Sequence, residues 1–271
     1  MDATVTVITP VFTYRESIFE TIDSVFMQDY PNIEYILIDD GPHSINELVV
    51  NYLKRIEKNN IKCMIIHNNE NLGISKTLNI AVSKSTGKYI FNLADDDCFF
   101  DDKVIADWTK EFDNSNADII VARRAIYDST LSDVMWIDSE NNWIEKTQQN
   151  GTLFDSMAAY NKIFGCVTAK TRLFLQSDVG KYDPQYKLIE DYPSIMKAIR
   201  SGIKIHNFNR ITVKYRYGGR SSTEQIDDIY LRESDKIFKN EILPYCDNKI
   251  KSYVGYMQWK RNIKKIHKHK P

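Results

Sequence analysis

The chain has 271 residues, 42% hydrophobic and 27% charged, which is an ordinary globular composition long enough to bury a substantial core. A net charge of -1 excludes a global attraction to nucleic acid, so any basic surface must be local. Cys63, Cys98, Cys166 and Cys246 are widely spaced with no Cys-x-x-Cys pair, which argues against zinc and a disulfide framework, and no run reaches the ~20 apolar residues needed to span a bilayer.

Thr4-Val-Thr-Val-Ile-Thr-Pro-Val11 is rich in β-branched residues and predicts a strand that ends at Pro10. Residues 17–28 place Ile18, Ile22, Val25 and Phe26 at helical spacing. Ile33-Glu-Tyr-Ile-Leu-Ile38 is a second strand delivering the acidic turn Asp39-Asp40-Gly41-Pro42, and residues 44–58 carry an apolar helical stripe. A third strand, Ile61–Ile66, leads into Asn68-Asn-Glu-Asn-Leu-Gly73, whose residues are loop formers. Residues 75–85 predict a helix, with Gly87 as its C-cap. The fourth strand, Tyr89–Leu93, ends abruptly in Asp95, Asp96 and Asp97.

Strands alternating with helices at these intervals predict right-handed βαβ crossovers and a doubly wound, mostly parallel α/β sheet, with Thr9, Asp39 and the aspartate triplet at one edge. Three adjacent acids repel one another unless a cation sits among them. Hard divalent ions take one or two carboxylates plus substrate phosphates, so a metal–nucleotide site is the sharp reading and a solvated acidic turn the plain one.

Further along, residues 103–112 read as a helix and Asp118–Ala122 as a strand, with Arg123-Arg124 just beyond it as ordinary surface charge. Trp136 and Trp143 fall in a polar stretch that suits either an acceptor-contacting insertion or the core. A short helix (154–160) and a short strand (165–169) follow, and then Glu190-Asp191 opens an amphipathic helix, where acids complement the helix dipole. Tyr217-Gly-Gly-Arg-Ser-Ser222 reads either as a mobile loop able to fold over a diphosphate or as a plain exposed one. The chain closes on Trp259-Lys-Arg-Asn-Ile-Lys-Lys-Ile-His-Lys-His-Lys270, a basic amphipathic segment that suits peripheral contact with an anionic membrane, or a solvated tail.

Four of these stretches together resemble the nucleotide-sugar glycosyltransferases of the GT-A fold, family 2. They are Val5–Phe12, Tyr35-Ile-Leu-Ile-Asp-Asp-Gly41, Asn71-Leu-Gly-Ile-Ser-Lys-Thr-Leu-Asn79 and Gly87-Lys-Tyr-Ile-Phe-Asn-Leu-Ala-Asp-Asp-Asp97, in order across about 100 residues. Leu188-Ile-Glu-Asp-Tyr-Pro-Ser-Ile-Met-Lys-Ala-Ile-Arg-Ser-Gly-Ile-Lys204 is similar to the family's Glu-Asp signature.

The resemblance implies a donor-binding half (1–102), an acceptor-binding half (103–225) and a C-terminal helical extension (226–271). It implies an inverting transferase that uses Mn2+ or Mg2+ and moves a sugar from a UDP-sugar to an acceptor hydroxyl, on a glycan or lipid-linked oligosaccharide of a bacterial polysaccharide. Asp39 would read the base, with Thr9, Pro10, Val11 and Phe12 lining the nucleoside pocket. Asp97 with Asp95 or Asp96 would hold metal and donor, and Asp191 would be the base, with Glu190 beside it. Ala94 stands where the family commonly has an aspartate, so the triplet reads either as Asp95-x-Asp97 or as Asp96-Asp97. Leu78 stands where many relatives carry arginine, which leaves Lys76 as the nearby cation. The competing classes are a nucleotidyltransferase or pyrophosphorylase and a non-catalytic nucleotide-sugar-binding protein. The first would show a glycine-rich loop after the opening strand, and Thr9-Pro-Val-Phe-Thr-Tyr-Arg15 has no glycine. A cytoplasmic location, peripheral on the inner membrane face, is the corresponding expectation.

Overall fold

A computed structural model describes residues 2–41, 43–218 and 228–266, the side chains of 263–266 excepted. The predicted strand–helix alternation is present: β1 (Val5–Val11), α1 (Ile18–Phe26), β2 (Ile33–Asp39), α2 (Glu47–Arg55), β3 (Ile61–His67), α3 (Ile74–Lys84) and β4 (Tyr89–Asn92). There follow β5 (Cys98–Phe99), α4 (Val104–Ser115), β6 (Ile119–Tyr127), β7 (Val134–Ile137), α5 (Asn142–Gln149), α6 (Leu153–Met157), β8 (Thr168–Thr171), α7 (Arg172–Gln176), α8 (Asp191–Arg200), β9 (Ile205–Arg216), α9 (Asp228–Ile237) and α10 (Lys249–Ile266).

The strands form one sheet in the order β3-β2-β1-β4-β8-β6-β9-β5, with β7 on β6. β3, β2, β1 and β4 are mutually parallel, β8 runs antiparallel to both β4 and β6, and β9 is parallel to β6. The helices cover both faces, because alternate side chains of a buried strand point opposite ways. Val5, Val7 and Val11 of β1 pack with Ile22, Val49 and Trp108 on one face. Ile8 packs with Leu78, Met196 and Ile237 on the other.

Three local features depart from the sequence reading. β1 runs through Pro10 to Val11, paired with β2 throughout. The carbonyl of Ile8 accepts from Leu93 N, so Pro10, two residues on, turns its nitrogen to the same side, past the last β4 partner, Asn92. The missing N–H therefore removes no ladder bond. Gly87 is not a helix cap: a Cβ there would lie 2.4 Å from Thr6 Oγ1 and 2.5 Å from Thr6 N, so glycine is required by close approach to β1. Arg123 and Arg124 lie within β6 rather than beyond it, because β9 pairs alongside as far as Tyr127.

All four cysteines are free thiols. Among the described residues no helix is long and apolar enough to cross a membrane. Tyr217 and Gly218 form a turn directly after β9, whereas 219–222 of the Gly-Gly-Arg loop and 267–270 of the basic tail lie outside the described residues.

Candidate active site

Both acidic features stand at the edge where β1, β2 and β4 end. Asp40 fixes one wall of that edge: its carboxylate accepts from Leu72 N (2.9 Å), Gly73 N (3.0 Å) and Asn68 Nδ2 (2.9 Å). Gly73, at φ 81°, lies in the left-handed region that favours glycine, and a Cβ there would meet Lys187. Asp39 is buried, and its carboxylate holds Gly41 N (3.1 Å), Ile45 N (3.2 Å) and His67 Nδ1 (3.2 Å). It shapes the β2–α2 loop whatever else it contacts. Thr9 and Val11 point into the core, Thr9 accepting from Tyr35 OH, and Phe12 is exposed. Lys76 is exposed on α3, and no hydrogen bond or ion pair joins it to the acidic turn among the described residues.

The aspartate triplet is braced from α1 and β9. Thr21 Oγ1 donates to the Asp97 carbonyl (2.7 Å) and Arg15 Nη1 pairs with Asp96 Oδ2 (3.2 Å). Arg216 binds this turn twice, its backbone N donating to Asp97 Oδ1 (2.9 Å) and its Nε to the Asp96 carbonyl (2.8 Å), and its guanidinium also pairs with Glu20 of α1. Burial, reinforced by the neighbouring charge of Asp96, pushes Asp95 up to about 7. Asp97 is raised well above the ordinary carboxylate range by its nearly complete burial and by Asp96.

Asp97 Oδ2 is buried with no hydrogen-bond partner. A buried carboxylate oxygen left open at a ligand-facing turn is what a hard cation would satisfy. Among the described residues no cluster of three His, Cys, Asp or Glu side chains could hold a metal alone. The arrangement therefore fits an ion shared between one or two of these carboxylates and substrate phosphates.

The second acidic centre stands at the start of α8. Asp191 Oδ2 accepts from Gly165 N (2.9 Å) and Asn161 Nδ2 (3.1 Å), and Oδ1 from Tyr192 N (2.6 Å). Burial raises its pKa even though these donors pull it down. Glu190, beside it, is pushed up to about 8 by burial and by the charge of Asp191. Lys170 of β8, 3% exposed, is pulled down to about 8 by desolvation, and the two carboxylates oppose that shift. Its Nζ reaches Tyr182 OH (3.4 Å), which also accepts from Asn92 Nδ2 (2.8 Å) at the end of β4. Tyr182 thus ties the strand that carries the triplet to the Glu190–Asp191 centre. The half-buried Cys166 thiol is pushed up to about 12 by desolvation, which Arg124 opposes and the charges of Asp97 and Asp191 reinforce.

The sequence reading singled out the acids and missed the groups that brace them: Arg216, Lys170, Tyr182 and Asn161. It also misplaced Arg124, which is largely buried, pairs with Asp138 (3.0 Å) and lies over the rings of Phe164 and Tyr215.

A wound α/β sheet with an acidic edge and a second, separately held carboxylate fits the GT-A class of nucleotide-sugar-dependent transferases. Residues 6–181 match the family model described as glycosyl transferase family 2, and the chain belongs to that family. It is 26% identical over 259 residues to an uncharacterized glycosyltransferase of Haemophilus influenzae, covering 91% of this chain and 75% of that protein. It is 24% identical over 219 residues to the putative teichuronic acid biosynthesis glycosyltransferase TuaG of Bacillus subtilis, covering 78% of each. In fold it is similar to S. aureus TarS 1-349 in complex with UDP-GlcNAc (TM-score 0.65, 15% identity, 95% of this chain and 71% of that one). It is likewise similar to the mannosyltransferase PcManGT of Pyrobaculum calidifontis in complex with GDP-Man and Mn2+ (TM-score 0.66, 13% identity, 98% and 73%). The GT-A fold and the glycosyltransferase assignment expected from the sequence are thus both present, and nucleotidyl transfer and a purely binding role give way to glycosyl transfer.

Proposed function

We propose that the protein is an inverting, metal-dependent glycosyltransferase that moves a hexose or N-acetylhexosamine from a UDP-sugar to a hydroxyl of a glycan or lipid-linked oligosaccharide. The observation that carries this reading is the pairing of an acidic turn holding an open carboxylate oxygen, Asp97 Oδ2, with the separately held carboxylate of Asp191. UDP as the nucleotide is supported by the UDP-GlcNAc complex of TarS, and a surface-polysaccharide acceptor by the name of TuaG.

Asp97, with Asp95, would hold Mn2+ or Mg2+, since Asp96 is already engaged by Arg15. Bound there, the ion would offset charge building on the departing diphosphate. Asp39, Pro10 and Phe12 would face the nucleoside. Asp191 is the general base. Its three N–H donors hold the carboxylate in one orientation, and its raised pKa makes it a stronger proton acceptor than an ordinary aspartate. As the acceptor oxygen bonds to the anomeric carbon, its proton passes to Asp191 and the anomeric bond to the diphosphate breaks on the opposite face. One displacement converts an α-linked donor into a β-glycoside. Glu190, with Lys170 behind it, sets the local field around the base.

Calorimetry with UDP, with and without Mn2+, tests the donor half; equal affinity in both conditions would remove the metal. A panel of nucleotide sugars assayed for metal-dependent transfer or hydrolysis identifies the donor, and no turnover with any of them would overturn the reading. The basic segment 259–270 would rest on anionic lipid, and truncation before Trp259 should lower the fraction bound to anionic liposomes.

A further inference from the structure

A cleft of about 260 Å³ is lined by Trp143, Tyr160, Asn161, Lys162 and Phe164 among others. Asn161 is at once a wall of this cleft and a donor to Asp191 Oδ2, so a ligand seated here is one side chain away from the proposed base. Two aromatic side chains offer flat apolar surface of the kind on which the C–H face of a sugar stacks. Between them stands a cation: Lys162 Nζ is 5.5 Å from the ring centre of Trp143 and 5.1 Å from that of Tyr160.

Lys162 is half-buried, and burial lowers its pKa. Among the described residues no carboxylate pairs with it. The acid that lines the same cleft, Asp138, is engaged by Arg124 at 3.0 Å. The ring faces compensate part of the lost hydration of the ammonium, but an anion would compensate more. A neutral sugar would need only the rings.

We propose that this cleft is the acceptor subsite and that it selects a saccharide bearing a carboxylate or phosphate, the sugar ring against Trp143 or Tyr160 and the anionic substituent on Lys162 Nζ. The inference rests on Asp191 as the base for its role as an acceptor subsite, but not for its preference for charge.

The test follows the indole N–H resonance of Trp143, assigned with W143F, in titrations of the full chain without donor. The probes are methyl glucuronide, glucose 6-phosphate and neutral methyl glucoside. At low salt the better of the two anionic probes should bind about tenfold more tightly than the neutral one, a contrast that shrinks to about twofold or less in K162Q and persists in K162R. Whether the carboxylate or the phosphate probe binds better identifies the substituent. Equal binding of neutral and charged probes, an undiminished contrast in K162Q, or no response of Trp143 to any probe would overturn the proposal. Because no donor or turnover enters the titration, failure of the transferase reading would appear separately, as absence of transfer in the nucleotide-sugar panel.

Discussion

Asp191→Asn separates a catalytic carboxylate from a merely structural one, and the geometry sets its cost. The two carboxylate oxygens receive three N–H donors. An asparagine offers one oxygen and one NH2, so at least one donor must face another donor. The cheaper orientation keeps the oxygen towards Gly165 N and Asn161 Nδ2 and turns the NH2 to Tyr192 N, leaving one bond unmade at a cost of about 1–3 kcal/mol. Opposing this, the substitution removes a carboxylate that burial disfavours as an anion. The two effects largely cancel, and for a chain of this size a remainder of about 1 kcal/mol moves Tm by roughly 2–4 °C. Loss of a general base, by contrast, should slow turnover by about 10²–10⁴-fold. Scanning fluorimetry, calorimetry with UDP and Mn2+, and an assay of released UDP together should show near-normal folding, unchanged donor binding and collapsed turnover. Turnover within about threefold of wild type would remove Asp191 as the base. Donor binding lost in step with Tm would make its role structural.

The neighbouring carboxylate has a pH signature. Glu190 holds its proton up to about 8 in the folded chain against an ordinary value of 4.5, so its contribution to stability is complete below about 4.5 and is lost as pH rises through about 8. Glu190→Gln should remove this loss, so that its Tm gains on the wild type between pH 5 and 9; parallel curves would refute the assignment. Asp97→Asn keeps the acceptor for Arg216 N and places a neutral NH2 at the open oxygen. It should weaken the Mn2+-dependent enhancement of UDP binding by about tenfold or more, with Tm unchanged or raised. An intact enhancement would dismiss Asp97 as ligand. Gly87→Ala must push β1 away from the turn before β4, because its Cβ would meet Thr6 backbone as well as side chain. A loss of about 1–3 kcal/mol should follow, read as a fall in Tm, and an unchanged Tm would contradict the contact.

What was legible in the chain follows from the range over which each signal acts. Strands β1 to β4 announce themselves through β-branched runs and the turn residues between them, and the acids at their ends are visible because an apolar run stops at a charge. The partners of those acids are not visible in this way. Arg216 lies 119 residues beyond Asp97 and meets it only because β9 pairs with β5, while Lys170 is carried to the Glu190–Asp191 centre by the antiparallel register that sets it opposite Ile90. No local pattern says which strands will pair, so buried cations on late strands read as ordinary surface charge. Arg124 shows the cost of that assumption: its partner, Asp138, comes from the turn after β7 and its stacking rings from two other segments. The same geometry bears on the ambiguity left by Ala94. Arg15 pairs with Asp96, burial holds Asp95 near 7, and Asp97 alone of the three has a buried oxygen with no partner among the described residues. On the proposed metal-dependent reading, the carboxylates left to an incoming cation would be Asp95 and Asp97, the spacing in which one residue intervenes. Asp96 would then be the member that stays off the ion while its charge raises both neighbours.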